Sequence, residues 1–143
     1  MTLPATPSLR TAFQHTLRVY WEDTDAGGVV FYANYLKFFE RARTEWLRQL
    51  GFEQQALRDK TGALFVVIET RVRYRAPARL DDLLAITVLL RHSGQASMQV
   101  SQQAWRGSTL LAEGDIRIGC VSTSDGGTFK PRRIPSALLH TFA

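Results

Sequence analysis

YWEDTDAGGVVFYANYLKFFERARTEWLRQL, residues 20–50, is the stretch from which the rest of the chain is organised. From Tyr35 onward, Tyr35, Phe38, Phe39, Ala42, Trp46, Leu47 and Leu50 recur at helical spacing, while Lys37, Arg41, Thr44 and Arg48 fall on other faces. The spacing predicts the longest helix of the chain, with an apolar stripe so broad that other elements must wrap it. Asn34 stands where an N-cap is expected, which leaves the backbone N–H groups of Phe31 to Tyr35 clustered at the helix mouth. Asp23 and Asp25 precede that mouth by a few residues. A carboxylate beside a donor-rich, electropositive helix end is an arrangement able to hold or attack a carbonyl.

With 143 residues, one domain is expected, large enough to bury a core without disulfides. The single Cys120 excludes an internal disulfide and fits a reducing compartment. Eighteen basic residues against 13 acidic ones give a net charge of +5, carried almost wholly by arginine. That balance suits nucleic acid, an anionic membrane surface or a phosphate-bearing small molecule, and charge does not choose among them. Residues 1–14 read as a loose leader without the features of a secretory signal, ahead of a single domain at 15–143. No apolar run approaches the ~20 residues of a spanning helix. The expectation is a soluble, cytoplasmic protein with no membrane insertion.

Around the helix the chain reads as strands. His15–Trp21 is a first strand, broken by turn chemistry from Glu22 to Gly28. Gly51 ends the long helix, and Phe52–Lys60 forms a short one that stops near Gly62. Leu64–Arg75, Leu83–Arg91, Ser97–Trp105 and Leu110–Cys120 follow as strands, separated by a Pro77-containing connector and by turns at Gly94 and Gly107. A polar loop at 122–128 and a short C-terminal turn close the chain. Short connections between consecutive strands imply antiparallel pairing. The class is α+β, one antiparallel five-stranded sheet wrapped around a long central helix.

Two motifs carry a family resemblance. Tyr20–Val30 with Asn34-Tyr35 and Phe39-Glu40-Arg41-Ala42-Arg43, followed by Arg75-Ala76-Pro77-Ala78-Arg79-Leu80-Asp81-Asp82, resembles hotdog-fold acyl-CoA thioesterases of the 4-hydroxybenzoyl-CoA thioesterase type, and within them the Tol–Pal-cluster subgroup. The likeness spans about residues 15–135. It implies that Asp25, the second acid of D-x-D, is the catalytic carboxylate, and that a main-chain N–H seven residues later, at Tyr32, polarises the thioester carbonyl. The subgroup usually has histidine there; the main-chain role survives the change, while side-chain contacts to substrate differ. The resemblance further implies dimers, often paired into tetramers, with the active site between subunits, and surface basic residues on the coenzyme A phosphates.

On that footing Asp25 is either nucleophile or general base, and Gly28, Asn34 and Arg91 are candidates for substrate contact. Arg132 and Arg133 are further phosphate candidates. No cofactor is expected, coenzyme A being part of the substrate, and the acyl group could arrive on an acyl carrier protein instead. Asp23 is read as holding the loop, and Phe38, Phe39 and Trp46 as core. Glu40 and Arg43 could pair within the helix or across a dimer.

Other chemistries fit less well. His15, His92 and His140 share no metal spacing. Cys120 falls on an apolar strand face, and neither a nucleophile elbow nor a phosphate-binding loop is present. Hydroxyacyl thioester dehydration lacks a histidine beside the acid. The alternative from another class is a non-catalytic hotdog dimer that binds acyl-CoA or acyl carrier protein. A nucleic-acid binder rests only on net charge and on Arg71, Arg73 and Arg75, whose ordinary reading is an exposed strand face.

Overall fold

α1 (Asn34–Gln49) packs its stripe onto one face of an antiparallel sheet, in a computed structural model that describes residues 13–123 and 127–142. The strands are β1 (Phe13–Arg18), β2 (Leu64–Tyr74), β3 (Leu83–Ser93), β4 (Ser97–Arg106), β5 (Thr109–Thr123) and the short β6 (Phe129–Pro131). Two further helices are α2 (Gln54–Thr61) and α3 (Ser136–Phe142). Six of the seven residues of the expected stripe are buried, and Phe38, Phe39 and Ala42 are fully so. Leu50, at the helix end, is half-buried against the same core. A Cβ on Gly114 in β5 would stand 3.0 Å from the Phe39 ring, so the missing side chain admits that ring to the sheet surface. At the far end of α1, Trp46 stacks on Phe142 of α3 with ring centroids 5.5 Å apart.

The strand order is β1-β3-β4-β5-β2, with β6 beside β5. The tight turns join β3 to β4 and β4 to β5 as hairpins, in line with their short loops. The same expectation fails for β2 and β3, which follow one another but do not pair. β2 lies at the edge beyond β5, and β1 takes the place next to β3. The connector after β2 carries Pro77, which cannot donate to a ladder, and its Arg75 and Ala76 N–H groups bond to Leu111 O of β5 instead. Among the described residues six strands stand where five were expected, because Phe129–Pro131 adds a short pairing to β5.

Boundaries also shift. β1 begins at Phe13, inside the stretch read as leader, and ends at Arg18; the aromatic Tyr20-Trp21 pair instead enters a short 3-10 turn at Trp21–Asp23. The remainder of the leader, residues 1–12, and the centre of the polar loop, 124–126, lie outside the described residues. Gly51 (φ 99°) and Gly62 (φ 78°) end α1 and α2 as read from the sequence. Among the described residues no helix is long and apolar enough to cross a membrane.

Gln102 is one of several polar residues embedded in the described part of the molecule. Gln102 is fully buried and donates from Nε2 to the carbonyls of Phe39 (3.0 Å) and Thr87 (3.2 Å), while its Oε1 accepts from Arg43 (2.9 Å). This bonding satisfies the amide and turns Arg43 inward, so burial pushes its guanidinium pKa down, opposed by the charge of Glu40.

Candidate active site

Asp23 is the hub of the loop before α1. Its side chain is buried, with Oδ2 accepting from the Tyr20 N–H (2.8 Å) and Oδ1 from Asn34 Nδ2 (2.8 Å). Its carbonyl accepts from the Phe31 N–H (2.9 Å). Both ends of the loop, and the start of the helix, therefore converge on one carboxylate. Asn34 accordingly does not cap the helix. Ala33 occupies the N-cap position without a side-chain bond, and Asn34 is the first helical residue. A charge-assisted bond to a buried carboxylate outweighs a cap to a solvated N–H, and the amide takes that partner.

From this hub the chain runs out and back as a short ladder. Thr24 bridges Val30, and the Asp25 N–H donates to Val29 O (2.9 Å). The tip is a turn in which Asp25 O accepts from Gly28 N (3.0 Å) and Asp25 Oδ1 from Gly27 N (2.8 Å). A Cβ on Gly27 would lie 3.2 Å from that carboxylate oxygen, and Gly28 adopts φ 77° with open space around it. Gly28 is thus needed for its backbone conformation and Gly27 for the room it leaves. The Asp25 side chain is exposed to solvent.

Phe31 to Asn34 form a turn closed by Asn34 N donating to Phe31 O (2.8 Å). Among the described residues nothing accepts from the Tyr32 N–H. Asp25 opposes Val29, and the ladder then runs through Thr24–Val30 to Asp23–Phe31, so Tyr32 follows its far end, at most about 10 Å of chain beyond Val29. The Tyr32 side chain is 65% exposed and borders an open cavity of about 290 Å³, together with Val30, Tyr35, Tyr74, Arg75, Ala76 and Pro77. Asp25 is not among the residues lining it.

The second sequence motif supports the first. Val30 N donates to Ala78 O (2.8 Å), Val29 bridges Arg79, and Ala78 N donates to the Tyr35 hydroxyl (3.3 Å). Asp82 clamps the connector by accepting from Arg79 N (2.8 Å) and from the Arg106 guanidinium (2.9 Å), which also donates to Pro77 O. Burial resists ionisation of Asp82, but the Arg79 N–H and Arg106 outweigh it and hold its pKa below the ordinary carboxylate value.

Other predicted site residues are placed elsewhere. Arg91 Nε donates to Ser101 Oγ (3.0 Å), which in turn donates to Asp115 (2.8 Å). Strand alternation sets Ser101 opposite to Gln102, so this chain of bonds lies on the sheet face away from α1 and from Tyr32. Arg132 donates to Thr61 O at the end of α2. Glu40 and Arg43 do not form an ion pair within the helix among the described residues. Both line two cavities, of about 320 and 240 Å³, that share Val67 and run between α1 and β2. Cys120 is buried, and burial pushes its thiol pKa up, as befits a core residue.

Sequence reasoning missed Tyr74, whose hydroxyl donates to Tyr32 O (2.8 Å). Its only local signal was its place directly before the Arg75–Asp82 motif.

The sequence profile of the thioesterase superfamily matches residues 27–113. The chain is 44% identical over 133 residues to the acyl-CoA thioester hydrolase YbgC of Escherichia coli O6:H1, covering 92% of this chain and 96% of that one. It is 40% identical over 134 residues to the acyl-CoA thioesterase YbgC of Haemophilus influenzae, covering 94% and 96%. The crystal structure of a probable thioesterase from Bartonella henselae superposes with a TM-score of 0.78 at 35% identity, over 85% of this chain and 98% of the other. The resemblance read from the two motifs is borne out.

Proposed function

The chain belongs to the thioesterase superfamily, and from that premise we propose that it hydrolyses an acyl-CoA thioester to the free acid and coenzyme A. The observation that supports the site assignment is an exposed Asp25 carboxylate and a free Tyr32 N–H on the one loop that leads into α1. In the general-base route Asp25 takes a proton from water while the water oxygen bonds to the carbonyl carbon. In the nucleophilic route an Asp25 oxygen forms that bond, giving an anhydride that water then opens. Either way the carbonyl oxygen becomes an oxyanion facing Tyr32 N–H, the C–S bond breaks as that charge returns, and the thiolate leaves to be protonated. Transfer of ¹⁸O from labelled water into Asp25 in a single turnover separates the two.

The site is open on one side, which favours completion by a second copy. β2 is an edge strand whose outer side pairs with no described strand, and Val67 and Ile68 on it are about half exposed (49% and 53%). Such an edge invites pairing across a two-fold axis. We therefore read the working unit as a homodimer, with tetramers formed from pairs. Arg91 would serve a coenzyme A phosphate only where a neighbouring chain brings substrate across the outer sheet face. Presentation of the acyl group by a carrier protein is the competing source of substrate.

Free-thiol release from short, long and aryl acyl-CoAs tests the reading. Asp25→Asn should lower kcat by roughly 10²–10⁴-fold, the range for a positioned acid–base group, with unchanged thermal stability. Full turnover in Asp25→Asn refutes the assignment, and tight acyl-CoA binding without hydrolysis in the wild type identifies a binding module instead.

A further inference from the structure

The hydroxyl of Tyr74 ends β2 and reaches across 42 positions in sequence to a single acceptor, the carbonyl of Tyr32, at 2.8 Å. Its ring also meets two others, Tyr32 edge-on at 6.4 Å and Tyr35 at 5.5 Å between centroids. The strand behind it is anchored, since Tyr74 is in register with Ala112 of β5 and the Arg75 guanidinium binds Glu113 at 2.8 Å. The contact is a strut from a fixed strand end to the turn before α1.

That turn carries the proposed oxyanion donors. Phe31–Asn34 is closed at its ends, but the peptide between Tyr32 and Ala33 is its central one, and type I and type II turns differ by rotation of that peptide. Ala33, at φ −74° and ψ −17°, is in the type I arrangement. The orientation of the Tyr32 carbonyl fixes ψ at Tyr32 and so holds the peptide that follows the free N–H, which itself belongs to the preceding peptide. Because C=O and N–H of a trans peptide point in opposite directions, the same bond also sets where the Ala33 N–H points. A hydrogen bond accepted at the carbonyl polarises the peptide and strengthens that second donor.

We propose that Tyr74 is a positioning residue for the oxyanion donors at the head of α1, an inference that rests on the Tyr32 N–H being such a donor. It touches the turn and not the reacting atoms. Burial, with the neighbouring Tyr32, raises the phenol pKa above its ordinary value, which keeps the proton on the donating oxygen at neutral pH.

Tyr74→Phe removes the hydroxyl and keeps the ring. The test measures kcat, KM and thermal midpoint, and records the infrared C=O stretch of a ¹³C-labelled 2-oxoalkyl-CoA thioether, a ketone that binds but has no thioester to cleave. The wild-type enzyme should lower the stretch relative to the free ketone. Tyr74→Phe should bind the ketone within about twofold, lose part of that lowering, and reduce kcat about threefold to tenfold with KM nearly unchanged, the factor one neutral hydrogen bond is worth. Wild-type kcat in the variant, or a lowered kcat with the stretch still at its wild-type position, overturns the strut. Absence of any lowering in the wild type overturns the donor assignment itself, and the proposal with it.

Discussion

Exchanging Asp23 and Asn34 in place tests the hub more sharply than deleting either. In Asp23→Asn the side chain keeps its shape but has one acceptor oxygen for two donors, the Tyr20 N–H and Asn34 Nδ2, both at 2.8 Å. Its own NH₂ then faces the Asn34 Nδ2 donor, and turning the Asn34 amide over restores a bond but not the charge that strengthened both. Bonds to a charged group contribute about 1.5–3 kcal/mol each, and an unsatisfied buried donor costs about 1–3 kcal/mol. Asp23 is 3% exposed and Asn34 6%, so water does not repair the loss. Asp23→Asn should therefore lose roughly 2–4 kcal/mol, a fall in thermal midpoint of roughly 6–14 °C for a domain of this size. In the double variant Asp23→Asn with Asn34→Asp, the new amide oxygen accepts from Tyr20 and the new amide donates to the new carboxylate, so every partner is satisfied. The added charge also lies in the first turn of α1, where the helix dipole favours it. Urea unfolding of all four members of the cycle, read alongside kcat, should show the double variant recovering at least half of the loss. Singles that sum to the double would refute the direct pairing, and a single Asp23→Asn within 0.5 kcal/mol of wild type would refute the hub.

Two further outcomes follow from the same contacts. Asp82 has a folded-state pKa below its ordinary value, so its clamp contributes stability that is complete above the unfolded carboxylate pKa of ~3.9 and is lost as pH falls through the folded value. Unfolding free energies measured from pH 6 to pH 2.5 should fall less steeply in Asp82→Asn than in wild type across the acid end, and parallel curves would show that the clamp is not ionic. Gly114→Ala places a methyl 3.0 Å from the Phe39 ring and 3.3 Å from the Arg71 carbonyl, and overpacking of this kind should destabilise by about 1–3 kcal/mol in a thermal melt. A neutral result would mean that α1 shifts freely on the sheet.

What the sequence determined was whatever is written in local periodicity. The stripe from Tyr35 to Leu47 and the alternation from Ala112 to Cys120 each record which face of an element is buried, and both hold in the structure. The alternation breaks at its start, where Leu111 is fully buried and Leu110 only half so, after a register shift between Ala104 and Trp105. Gly51 and Gly62 mark helix ends because a left-handed residue is a local requirement, and the D-x-D loop with the Arg75–Asp82 motif was specific enough to reveal the family. Tertiary structure decided which neighbour each face meets. Period and propensity are the same whether β2 lies beside β3 or beyond β5, so no local pattern placed it at the edge. Asn34 reads as a cap by position, yet a buried carboxylate 11 residues earlier claims its amide. Tyr74 looked like one more residue of an alternating strand, and its role exists only because folding carries its hydroxyl to a carbonyl 42 residues away. Local sequence fixes conformation through steric and solvation preferences of adjacent residues, whereas partners distant in the chain are chosen by the packing of the whole.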